Sequence, residues 1–395
     1  MAYYNGRGYR PHNSKKFHLS RRLKNRIIIV ASGILIFALI IVLISTVFSC
    51  ICSIQAPTEP TIDTATVGST VKAEETTKTT KSDKIKFKEP DIEDDGDSVG
   101  EFDNEYYIWN NKAFEAFTGT DKDAENYAKY INNAKSTLGS SVNVYSLVMP
   151  THIEMGLPNR LKNNNDGIKT SSQADYIKST YNSLSKKVKY VNAYNLLSEH
   201  CKDYIYFDSD HNPTALGGYY AYQAFVELLG KKAIPLNECT EGSVESFMGS
   251  YNNFTDSELN VDTVQYWDFP YSVSNDVTDT DGNTNTLGSC YYKSVAEGSN
   301  AYSVFLFGRN PLEVIKSESK KASGKIAIVH DSIGSSMVPY FTYNYKEVYS
   351  IDYREYSGNL KNLCKENGIK NVLFINDTSG TVNSEKLELM QNILS

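Results

Sequence analysis

Gly324-Lys325-Ile326-Ala327-Ile328-Val329-His330-Asp331-Ser332-Ile333-Gly334-Ser335-Ser336-Met337 is the stretch whose reading decides the fold. Ile326 to Val329 is a short apolar run rich in β-branched residues, the pattern of a buried strand. It stops at His-Asp-Ser, and a helix is predicted from Ile333 to Phe341, with Asp331 or Ser332 at its N-cap. A serine on a tight strand-to-helix turn exposes its hydroxyl, and backbone N–H groups beside it can hold an oxyanion. Serine acyl transfer needs that arrangement. A plain helix cap uses the same residues, so the rest of the chain has to decide.

Strand and helix patterns alternate around this stretch. Asp121 to Leu138 has helical periodicity, and Val142 to Met149 is a strand ending at Pro150-Thr151-His152. A helix is expected from about Ser172 to Lys186, a strand at Val188 to Val191 and a helix from Ala215 to Leu229. After the central strand come a strand at Glu347 to Ile351, a helix at Leu360 to Asn367 and a strand at Asn371 to Ile375. The alternation predicts an α/β fold, a parallel sheet with helices on both faces, in which functional residues sit at the C-terminal strand ends. Pro150-Thr151-His152, Asp331-Ser332 and Asn376-Asp377 all fall there.

Cys239 to about Ser299 breaks the pattern and reads as a β-rich insertion. Its Tyr251, Tyr266, Trp267, Tyr271, Tyr291 and Tyr292 would suit a carbohydrate platform, or ordinary packing.

The N-terminal part has a different composition. Residues before Ile27 carry eight basic and no acidic side chains, and Ile27 to Phe48 is an uncharged apolar run of 22 residues. At 1.5 Å per residue that is roughly 33 Å, enough to cross a bilayer core. The basic flank predicts a cytoplasmic tail at 1–26, a single transmembrane helix at 27–48 and an extracellular remainder at the cell membrane. Residues 49–100, rich in Thr, Ser, Lys, Asp and Glu, read as a disordered linker, leaving 101–395 as the folded domain. The net charge of −7 and the lack of a basic surplus in the outer domain exclude nucleic acid. No phosphate loop, EF-hand or HExxH pattern is present, so neither metal nor cofactor is expected. Cys201, Cys239, Cys290 and Cys364 allow two bridges in three connectivities, or free thiols.

A second polar knot is Asp208-Ser209-Asp210-His211-Asn212-Pro213-Thr214. A histidine flanked by carboxylates is the arrangement a general base needs, with Asp210 or Asp208 to orient His211. An Asx-turn and helix cap would use the same residues.

With both knots in view, the chain resembles the DHHW family of surface proteins, relatives of the SGNH-hydrolase-like alginate O-acetyltransferases. The resemblance is carried by Val148-Met149-Pro150-Thr151, by Ser209 through Tyr222, by Phe305 through Leu312, and by Lys325 through Pro339 followed by Ile351 through Tyr356. It implies an SGNH-like (flavodoxin-like) fold. It also implies an O-acyltransferase or esterase acting on cell-surface polysaccharide, supplied by a membrane-bound O-acyltransferase partner. Ser332 would be the nucleophile, His211 the base, and Asp210 or Asp208 its orienter; Gly308, Arg309 and Asp331 would line the site or its oxyanion hole. The chain departs from the family at Asn212, where the second histidine of the motif is expected. That substitution motivates the rival expectation, a degenerate module that binds or scaffolds.

Overall fold

The structure is a computed structural model and describes residues 85–395. The expected cytoplasmic tail, the expected transmembrane helix at 27–48 and the expected linker as far as residue 84 lie outside the described residues. Among the described residues no helix is long and apolar enough to cross a membrane.

The strands are β1 Glu101–Asp103, β2 Tyr106–Trp109, β3 Lys112–Glu115, β4 Asn143–Met149, β5 Val188–Val191, β6 Thr240–Phe247, β7 Asp262–Asp268, β8 Val273–Thr278, β9 Thr284–Leu287, β10 Leu312–Ser317, β11 Lys325–His330, β12 Glu347–Asp352 and β13 Asn371–Asp377. Eight of them form the central sheet in the order β5-β4-β13-β11-β12-β10-β8-β9. The first five are parallel, and the alternation of helices between them is the reason, since a parallel pair needs a crossover. The sheet is mixed, however, because β10, β8 and β9 extend it antiparallel beyond β12. The expected insertion is thus divided: β8 and β9 join the main sheet, while β6 and β7 pair separately.

Helices cover both faces. On β4, Tyr145 meets Phe225 of helix Ala215–Leu228 at 5.1 Å, while Ser146 points the other way to Tyr127 of helix Asp121–Leu138. Neighbouring strand residues face opposite sides, so the two helices lie on opposite faces. Helix Asp121–Leu138 buries Ala124, Tyr127, Ala128, Ile131 and Leu138, one stripe at helical spacing. It starts at a capping box of Thr120 and Asp123.

Two expectations need correction. The helix after Ser332 is a single turn, Ser332–Ser335, followed by a 3-10 stretch Val338–Tyr343. Pro339, which has no N–H to give an α-helix, lies at the start of that stretch. The folded chain also begins well before residue 101. Ile85 is buried, Phe87 stacks on Tyr194 at 4.6 Å, and Arg160 grips Asp94 and Asp95. Residues 85–100 lack regular structure but are fastened by ion pairs and apolar anchors, so they are not a free linker.

Candidate active site

The ends of β4, β13, β11 and β12 lie along one edge of the sheet, with Asp377 opposite Met149 and His330 opposite Asp352. Asp331 and Ser332 emerge there. Asp331 is fully buried: Oδ1 accepts the Ile333 N–H at 3.1 Å, and Oδ2 accepts Lys386 Nζ at 2.6 Å and the Tyr353 hydroxyl at 3.1 Å. Burial opposes its ionisation, but Lys386 and the Ile333 N–H outweigh that and hold the carboxyl below its usual range. A Cβ at residue 334 would lie 2.5 Å from His330 Cβ, so only glycine lets the turn fold back on the strand. Ser332 is half-buried; its carbonyl accepts the Tyr302 hydroxyl at 2.8 Å, and its own hydroxyl makes no hydrogen bond to a described residue.

The second knot is held around Asp210. Asp210 Oδ1 accepts both the backbone N–H (2.8 Å) and the side-chain Nδ2 (2.7 Å) of Asn212, and its Oδ2 accepts the Ser250 N–H at 2.7 Å. The buried Asn212 Oδ1 has no hydrogen-bond partner among the described residues. Asn212 therefore shows Asp210 the N–H that a triad histidine would show its carboxylate, and offers no ring nitrogen beyond it.

His211 is brought near Asp210, with Nδ1 3.7 Å from Oδ1, but its hydrogen bond at 3.0 Å is with the Ser250 hydroxyl. It faces a cavity of about 220 Å³ that it shares with Glu115, Tyr251, Asp377 and Lys386. No hydrogen bond joins it to Ser332. Burial pushes Asp377 up, and Glu115 is raised by burial and by Asp377. The other histidine beside the serine is no substitute. His330 is buried between Ser350 and the Asp331 carbonyl, and burial pushes its basicity down.

Three expected site residues are elsewhere. Asp208 does not orient His211: it pairs with Lys112 at 3.1 Å and accepts Asn260 Nδ2 at 2.9 Å. The Gly308 N–H is already given to the Phe305 carbonyl at 3.0 Å, so it is no oxyanion donor. Arg309 is bound to Glu355 at 2.5 Å on an exposed surface. The aromatic platform is likewise absent: Tyr251, Tyr266, Trp267 and Tyr291 are buried, Tyr271 is part-buried, and only Tyr292 is exposed. Cys201, Cys239, Cys290 and Cys364 form no disulfide among the described residues.

Sequence reasoning missed Asp262, Ser250, Tyr302 and Lys386. Asp262 accepts the N–H groups of Asp208 (3.0 Å) and Ser209 (2.8 Å) and the hydroxyls of Ser209 and Tyr204, and so fixes the loop that carries Asp210. No local pattern marks these four, because each meets its partner across 30 or more residues of chain.

A sequence profile of the DHHW protein family matches residues 71–351. The chain belongs to the DHHW family. A DHHW family protein from Eubacterium siraeum shares 29% identity at a TM-score of 0.67, over 75% of this chain and 98% of that one. PatB1 from Bacillus cereus, solved with a sulfonyl adduct, has the same fold at 18% identity and a TM-score of 0.57, over 74% and 98% of the two chains. A remoter likeness, 11% identical at a TM-score of 0.39 over 75% and 98%, is to the O-acetyltransferase domain of Pseudomonas putida AlgJ. No match was found among curated proteins.

Proposed function

We propose that the protein is a membrane-tethered, extracellular DHHW module that binds cell-surface polysaccharide on an SGNH-like acyl-transfer scaffold without turning it over as a Ser-His-Asp enzyme. The carrying observation is the 2.7 Å contact of Asn212 Nδ2 with Asp210. It supports reading Asn212 as the residue in the seat of the base, and a carboxamide takes no proton near neutral pH. Ser332 keeps its place at the end of β11, but a serine hydroxyl without a general base is a weak nucleophile. Removal of a triad base costs on the order of 10⁶ in turnover in the best-studied serine protease, leaving only binding and oxyanion stabilisation. The polysaccharide partner rests on the family resemblance, and the membrane tether on the apolar run at 27–48.

The rival is an esterase or O-acyltransferase that uses His211, which is part-exposed and 3.7 Å from Asp210. The full chain in detergent, given a chromogenic acetyl ester with intact-mass detection of any acyl-enzyme, separates the two. The proposal expects hydrolysis indistinguishable from Ser332→Ala and no acyl adduct. Turnover abolished by both Ser332→Ala and His211→Ala would overturn it in favour of a shifted triad.

A further inference from the structure

Between residues 92–95 and the body of the domain runs a groove of about 880 Å³. That is the scale of a cleft for a whole ligand, roughly 300–1,000 Å³, rather than for one acetyl group. Five carboxylates line it, three in the run Glu93-Asp94-Asp95 and the others at Asp203 and Asp208, against two lysines. Both lysines are already engaged, Lys112 with Asp208 at 3.1 Å and Lys202 with Asp91 at 2.7 Å. Aromatic side chains complete the walls. Carboxylates only accept hydrogen bonds, so an occupant must be rich in donors and must not be anionic.

His152 gives a second, independent pointer. It is 7% exposed, it lines both this groove and the 220 Å³ cavity at the ends of β4 and β13, and its Nδ1 has no hydrogen-bond partner among the described residues. A buried polar atom left unpaired is costly, so its presence where two cavities meet is what a ligand contact would explain.

We propose that the groove binds a glycan chain that is neutral or carries ammonium groups, with His152 where the chain nears the strand-end cavity, and that it rejects polyanionic chains. This rests on the polysaccharide reading above and adds the place and the class. Asp94 and Asp95 pair with Arg160, Asp208 with Lys112 and Asp203 with His200, yet carboxylates still outnumber cations in the lining, so sugar hydroxyls and ammonium groups suit it and a uronate or phosphate chain would be repelled.

The test uses the full chain in detergent and three probes: hexamers of N-acetylglucosamine, glucosamine and galacturonate. The first two are expected to bind at least ten-fold more tightly than the third. The double variant Glu93→Lys/Asp203→Lys, at two exposed positions, is expected to narrow the gap between glucosamine and galacturonate at least ten-fold. Equal or tighter binding of galacturonate, or a gap the double variant leaves unmoved, would overturn the groove assignment while leaving a polysaccharide partner standing. Binding of none of the three would overturn both.

Discussion

His152 and Glu313 are buried ionisable groups that pull stability in opposite directions with pH. Burial is the main influence on His152, opposed by Asp208 and aided by Lys112, and it pushes the imidazole from 6.5 down to about 4. The unfolded chain therefore binds the proton more readily. The associated stability is complete above 6.5 and is lost as pH falls toward 4, to the extent of about 3 kcal/mol. Thermal unfolding should show a midpoint that drops between pH 7 and pH 4, and His152→Phe, which keeps the ring, should flatten that drop; an unchanged profile would contradict it. Glu313 is pushed from 4.5 up to about 8, mainly by burial, although Asn275 and Asn310 donate to it. Its contribution is complete below 4.5 and disappears as pH rises through 8. Glu313→Gln should unfold at a higher temperature than wild type at pH 9 and no higher at pH 5. The two polar knots were legible as candidate sites from Asp210, Asn212 and Ser332 alone. The aim of each side chain was not, because Ser250 takes His211 and Lys112 takes Asp208, and neither partner is local.

At the scale of elements, the segment after β6 acts as a clamp on the Asp210 loop. The Gly249 N–H goes to Ser209 Oγ at 2.9 Å, and the Ser250 N–H goes to Asp210. A Cβ on residue 249 would lie 2.3 Å from the Ser209 carbonyl oxygen and 2.4 Å from Asp210 Cβ. Gly249→Ala should therefore cost on the order of 1–3 kcal/mol, the range for overpacking, read by chemical denaturation. A loss within 0.5 kcal/mol would show that the clamp gives way freely. The five parallel strands were readable because each is a short apolar run closed by a turn. β8, β9 and β10 were not, since Val273–Thr278 and Thr284–Leu287 are polar; they form a local hairpin that joins the sheet only where β8 pairs with β10, more than 30 residues along the chain. The single-turn helix at Ser332 was overestimated for a similar reason, since apolar spacing through Phe341 outweighed Pro339.

At the scale of the whole molecule, residues 85–100, which composition alone assigned to a disordered linker, are fastened to the folded domain. Their acids are neutralised at a distance by Arg160, and Asp94 and Asp95 are held below the usual carboxylate range by hydrogen bonds, from Arg160 to the first and from Ser98 to the second. Such surface pairs add little to global stability. Arg160→Ala should thus leave the unfolding midpoint nearly unchanged yet speed hydrogen exchange across 91–98; exchange as slow as in wild type would mean that Ile85, Phe87 and Trp109 suffice as anchors. The central claim is that Ser332 is idle because Asn212 fills the seat of the base. The most direct measurement is the rate of Ser332 modification by a sulfonyl fluoride, followed by intact mass, in wild type and in Asn212→His. Histidine keeps the N–H toward Asp210 and adds a proton acceptor, and general-base assistance is typically worth 10²–10⁴. The account predicts at least a hundred-fold faster modification in Asn212→His, with a pH dependence near that of an imidazole. Rapid modification already in wild type, abolished by His211→Ala, would contradict it.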